Sequence, residues 1–183
     1  TPPEWVKTRN MVWLQYSGAG EGYGYISGGP THSTTAAGLI QLAWNGVTTN
    51  HPMWRHGEDW LADRWSAIAS NTDIYAYYSI AKAMRIAKAS PVERFASSGK
   101  DWYRDPSNGM ARILIDRQDP TNSSWSSGGI LTDPRYSTVW ACIILSDTLF
   151  KEKPVAVVTA APNPATTVEG ELESYSPKLA AKR

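Results

Sequence analysis

His51, His56, Glu58, Asp59 and Asp63 lie close together in the chain, around Trp54 and Trp60. Imidazoles and carboxylates are the groups that hold divalent metals or pass protons. On a helix, His56 and Asp59 meet on one turn, and Asp59 and Asp63 share a face one turn apart. His56, Asp59 and Asp63 are therefore candidates for a metal or acid/base group. A plainer reading competes: a polar loop whose acids favour a helix N-terminus. The plainer reading is preferred, because no established ligand spacing occurs and no cofactor motif accompanies the group.

His32-Ser33-Thr34-Thr35 places a serine beside a histidine, the types a hydrolase uses. The Gly-x-Ser-x-Gly turn that would expose a nucleophile is absent. Capping of a following helix accounts for Ser33 and Thr34. Gly18-Ala19-Gly20-Glu21-Gly22-Tyr23-Gly24-Tyr25 is glycine-rich, yet it follows no strand and lacks the Lys-Ser/Thr ending of a phosphate loop. It reads as an adaptable loop with aromatic contacts. Asn122-Ser123-Ser124 is a glycosylation sequon, with meaning only in an exported chain. No catalytic residue is assigned.

The chain has nine Trp and nine Tyr against two Phe. Amphipathic rings suit a core whose edges meet a wet cleft or a partner. They also simply fill gaps between helices. Tyr75, Tyr77, Tyr78, Trp125 and Trp140 are the candidates for a pocket or interface.

Bulk properties narrow the partners. The 183 residues carry 18 basic and 17 acidic side chains, a net charge of +1. That balance offers nucleic acid no electrostatic footprint. No apolar run approaches the roughly 18 residues of a membrane span. Thr1-Pro2-Pro3 lacks the opening of a secretory leader, as would a mature chain with its leader removed. The single cysteine, Cys142, excludes an internal disulfide and a Cys-rich zinc site. Its apolar neighbours lead us to expect a small core residue there.

The elements that must position these side chains are helices. Six are expected: Pro3 to Gln15, Thr34 to Trp44, Glu58 to Ala69, Ile74 to Ala89, Pro106 to Arg117 and Tyr136 to Phe150. Pro3 suits a first turn, Ser33 or Thr34 caps the second helix, Asp73 the fourth, and Asp105 the fifth. Trp60, Leu61, Trp65, Ile68 and Ala69 repeat at three and four. The fourth is apolar nearly all round and should be the most buried. The second, fourth and sixth are small and apolar and read as an inner layer; the others read as an outer one. After residue 150 the chain turns β-branched and proline-rich from Pro154 to Pro164, which reads as a linker or an extended strand needing a partner edge. Two regions result: a helical domain at 1–150 and an extended tail at 151–183.

The chain also repeats itself. Gln15 to Leu42 and Gln118 to Leu145 share a skeleton: an apolar stretch ending at Gln, a Gly/Ser loop with aromatics, a Gly-Gly pair, then a small apolar helix at Thr35 or Thr138. The segment Leu114-Ile115-Asp116-Arg117-Gln118-Asp119, with Ser124-Trp125 and Asp133-Pro134-Arg135-Tyr136-Ser137-Thr138-Val139-Trp140-Ala141, resembles the repeat shared by squalene and hopene cyclases and protein prenyltransferase β subunits. Gln15 to Leu42 is a weaker copy, with Tyr23 or Tyr25 in place of the Trp, and Asp73 to Ser79 looks like a third inner helix. The resemblance implies an all-α fold of three α-hairpins of the α/α-toroid type, a partial toroid, since a full ring has about six hairpins. It also implies that Gln15, Gln118 and Trp125 tie helix ends together. The cyclases' Asp-x-Asp-Asp motif, the prenyltransferases' zinc ligands and aspartate-rich diphosphate motifs are all missing, so the family's chemistry does not transfer. The tail from Pro154 to Pro164 resembles the first strand of a PKD-type immunoglobulin-like domain, common in secreted and surface proteins.

Three functional readings follow. The first is a non-catalytic structural or binding module, extracellular or in the cell envelope. It would form a homo-oligomer or pack on other domains of a longer chain. The second is a fragment of a squalene-cyclase-like enzyme, its aromatic rings lining an apolar pocket. The third is a carbohydrate-binding or carbohydrate-active protein, resting on the aromatic platforms and on Glu58, Asp59 and Asp63.

Overall fold

A computed structural model describes residues 2–18, 21–25, 29–128 and 132–146. The tail from residue 151 and the end of the sixth expected helix lie outside the described residues. Within them the chain is all-α. Seven helices follow in order: α1 (Glu4–Ser17), α2 (His32–Trp44), α3 (Pro52–Asp63), α4 (Trp65–Ser70), α5 (Ile74–Arg85), α6 (Met110–Asp116) and α7 (Pro134–Leu145). No strand occurs among the described residues, only isolated bridges such as Thr48 with Lys88.

Local chemistry sets the helix starts. Thr31 caps α2, one residue earlier than the α2 backbone begins and ahead of the expected Ser33 or Thr34. Thr34 N–H donates to Thr31 Oγ1 at 3.1 Å, and Thr31 N–H donates back to Thr34 Oγ1 at 2.9 Å. The reciprocal pair satisfies two otherwise orphaned donors. Asp73 caps α5, its Oδ1 accepting from the N–H groups of Tyr75 and Ala76. Asp133 caps α7 by accepting from the Arg135 N–H at 2.9 Å, and Pro134 occupies the first turn.

Three of the expected helices differ in extent. The third expected helix starts at Pro52, because His51 Nδ1 accepts from Met53 N–H and Pro52 opens the turn. It also breaks at Arg64, whose φ of −101° and ψ of 11° separate α3 from α4. Asp105 caps only a turn, accepting from Ser107 and Asn108 N–H groups, so α6 begins later, after Gly109. A Cβ at Gly109 would overlap the backbone of Tyr103 and Asp105, which fixes glycine at this crossing. The fourth expected helix stops at Arg85, where the chain folds back and Val92 N–H bonds Met84 O.

α5 lies between α2 and α7, while α1 and α3 pack on α2 and α6 packs on α7. The three helices expected as an inner layer are thus side by side, and α5 is the most buried of them. Leu39, Leu42, Trp54, Leu61, Ile68, Ile80, Met84, Leu114 and Ile144 are fully enclosed between them. Each such side chain contributes roughly 1.5–3 kcal/mol by leaving water.

Cys142 departs from expectation. It is exposed, not a core residue. Only Ser137, Ala141 and Ile144 of α7 are fully buried, and among the described residues α7 packs chiefly on α5 and α6. Its other side carries Val139, 56% exposed, beside Cys142. The apolar neighbours of Cys142 suggested burial, but a helix at an edge buries a single stripe.

Candidate functional site

In the second copy of the repeat, Trp125 N–H donates to Thr138 Oγ1 at 3.2 Å and its indole Nε1–H donates to Leu114 O at 2.7 Å. Gln118 Nε2 donates to Ser123 O at 2.9 Å. In the first copy, Tyr23 N–H donates to Thr35 Oγ1 at 3.1 Å, and Tyr23 Oη donates to Met53 O at 2.7 Å. The loop aromatic therefore grips the following helix through the same threonine in both copies. Tyr23 fits because Gly38 and Gly57 leave space; a Cβ on either would collide with its ring. Gln15 is exposed, and Gly20, the position matching the Ser123 partner of Gln118, lies outside the described residues.

The five aromatic candidates separate into two groups. Tyr77 and Trp125 are buried and bonded to helix ends. Tyr75, Tyr78 and Trp140 come together at the surface. Trp140 lies 5.4 Å from Tyr75, 6.1 Å from Tyr78 in a stacked arrangement, and 6.2 Å from Tyr136. Tyr136 was missed in the sequence, although it stands one turn before Trp140 on α7 and is therefore on the same face. Along α5, Tyr75, Tyr78 and Lys82 form one stripe, and Lys82 Nζ lies 5.5 Å over the ring of Trp44 on α2. The outward faces of α2, α5 and α7 thus share one aromatic surface.

The acidic candidates also separate. Glu58 is buried, its Oε2 accepting from Trp54 Nε1 and its Oε1 from Ala96 N–H, each at 2.7 Å. It pins α3 to the segment around residue 96 and does not join Asp59 and Asp63. Those two line a different cleft with His56, Trp60, Arg64 and Glu21, of roughly 380 Å³. His56, Asp59, Trp60 and Asp63 follow a helical period, so one face of α3 forms a wall of it. Arg64 reaches Glu21 at 2.7 Å and lies 4.5 Å over the Trp60 ring. Among the described residues, no group of three His, Cys, Asp or Glu side chains is placed to hold a metal ion.

His32 does not pair with Ser33. Its ring lies 5.7 Å from Trp60, while Ser33 Oγ is 3.2 Å from Thr31 Oγ1. Burial pushes the His32 imidazole below its ordinary pKa, with Asp73 opposing and Arg64 adding to the shift. Asn122 is exposed in the α6–α7 loop, and its Oδ1 accepts from Ser124 N–H at 2.9 Å.

No family model matches the chain, and no curated protein or solved structure matches it either.

Proposed function

We propose that the chain is a non-catalytic module of α-hairpins of the α/α-toroid type that assembles edge to edge with further copies of itself. The edge of α7 carries this reading. Tyr136, Val139 and Cys142 form an exposed apolar strip there, although α7 is otherwise built like the enclosed α5. A second strip, Trp5, Val12, Trp13 and Tyr16, is exposed along α1. Hairpin arrays bury such strips against the next hairpin, and two unlike strips favour head-to-tail contact. The strand-like sequence from Pro154 to Pro164 supports a place in a longer surface or secreted protein.

Sedimentation velocity over a wide concentration range tests the reading. Reversible oligomers should form and should be lost in Val139→Glu. A monomer at every concentration would sink it.

A further inference from the structure

We infer, resting on the assembly reading, that the α7 edge receives the α1–α2 hairpin of a second copy, seated as α3 and α5 sit on α2 within one chain.

The internal repeat supplies the template. Tyr23 N–H bonds the Thr35 hydroxyl and Trp125 N–H bonds the Thr138 hydroxyl, so α2 and α7 align at these threonines. The alignment pairs Ala36 with Val139 and Leu39 with Cys142. Ala36 and Leu39 are wholly enclosed, whereas Val139 is 56% exposed and Cys142 is exposed too. What lies against the two helices accounts for the difference. α2 carries the hairpin that follows it, since both α3 and α5 pack on it. Leu39 meets α3 at Gly57, where an added Cβ would lie 2.9 Å from Leu39 Cδ2. α7 packs on α5, which precedes it, and on α6, its own hairpin partner. It is the last helix among the described residues, so no hairpin follows it there as α3 and α5 follow α2.

The other end of the row lacks the converse neighbour. α3 packs on a helix of the hairpin before it, and α1 is the first described helix, with none before it. Of the 14 residues of α1 only Leu14 is buried. Trp5, Val12 and Tyr16 recur at helical spacing on one face and are 63%, 62% and 61% exposed. Each end therefore offers what the other lacks: an uncovered hairpin edge and an unseated outer helix. Pairing of two α7 edges would leave every α1 strip in water, whereas the head-to-tail contact covers both strips.

Sedimentation velocity of two variants, alone and mixed, tests the pairing. Val139→Glu spoils the α7 edge and Val12→Glu the α1 strip. Both positions are exposed, and circular dichroism should show the parent fold. Each variant alone should sediment as a monomer where the parent assembles. An equimolar mixture holds one sound edge of each kind, and should form a one-to-one dimer and nothing larger. Trp5→Glu should behave as Val12→Glu does. If Val12→Glu and Trp5→Glu assemble like the parent, or if the mixture stays monomeric, the α1 partner is overturned while assembly itself stands. If the parent is a monomer at every concentration, assembly and the pairing fall together.

Discussion

Arg117 donates to the phenol oxygen of Tyr77 at 2.8 Å, and together they close the C-terminal end of α4. Arg117 also donates to the carbonyls of Ala69, at 2.8 Å, and Asn71. The Tyr77 hydroxyl lies 2.9 Å from Ile68 O. The last carbonyls of a helix have no partners of their own and carry its negative dipole end, so a guanidinium suits them. The device recurs at α7, where Arg85 donates to Ile144 O at 2.6 Å and lies over Tyr103, itself bonded to Leu145 O.

Removing this pair should show coupling. Tyr77→Phe is expected to cost about 1–2 kcal/mol and Arg117→Met about 1.5–3 kcal/mol. The double variant should cost less than the sum, because each single change strands part of the same network. Urea unfolding of the four proteins measures the cycle.

Alkaline stability follows from two buried phenols. Burial raises the pKa of both Tyr23 and Tyr77 above the ordinary tyrosine value. A raised folded pKa means that their contribution is intact below the unfolded value, about 10. It is lost as pH rises beyond that, because only the unfolded chain releases the proton. Spectrophotometric titration should show exposed tyrosines ionising first, with Tyr23 and Tyr77 ionising only as the helical circular dichroism collapses. Tyr23→Phe should shift that collapse to higher pH.

The two repeat threonines should differ in weight. Thr35 is completely enclosed, whereas Thr138 is half-buried. Thr35→Val strands the Tyr23 N–H away from water and should cost about 1–3 kcal/mol. Thr138→Val leaves Trp125 N–H closer to solvent and should cost about 0.5–1.5 kcal/mol. Thermal unfolding in the same buffer compares them.

Glu58 should prove structural. Glu58→Ala strands the Trp54 indole N–H and the Ala96 N–H, and is expected to cost about 2–5 kcal/mol. Hydrogen exchange at Ala96 should accelerate while protection in α5 persists.

Cys142 reports on the α7 edge. In dilute native protein a thiol reagent should modify it at a rate close to that of an unfolded control. At high concentration the rate should fall as copies cover α7. A rate independent of concentration would argue that this edge stays open.

Residue patterns showed some of this and concealed the rest. The adjacency of α2, α5 and α7 was legible because small apolar residues dominate all three, and the helix-end role of Trp125 was what the repeat's resemblance implied. The break at Arg64 was not, since the apolar period runs on from Trp60 and Leu61 to Trp65 and Ile68 across it. Glu58 looked like a neighbour of Asp59, but adjacent residues on a helix point about 100° apart, so they reach different cavities. The Arg–Tyr pairs join residues distant in sequence, Tyr77 with Arg117 and Arg85 with Tyr103, and no local spacing announces them.

The sequence alone determined the secondary structure class, the doubled loop and the small apolar character of α2, α5 and α7, because periodicity, caps and glycines act over a few residues. Tertiary structure decided which faces found partners. It enclosed Tyr77 and Glu58, left Cys142 and Tyr136 outside, and set Asp59, Trp60 and Asp63 along one cleft. Burial and pairing depend on what the chain brings opposite a side chain, and that is fixed only when the helices pack.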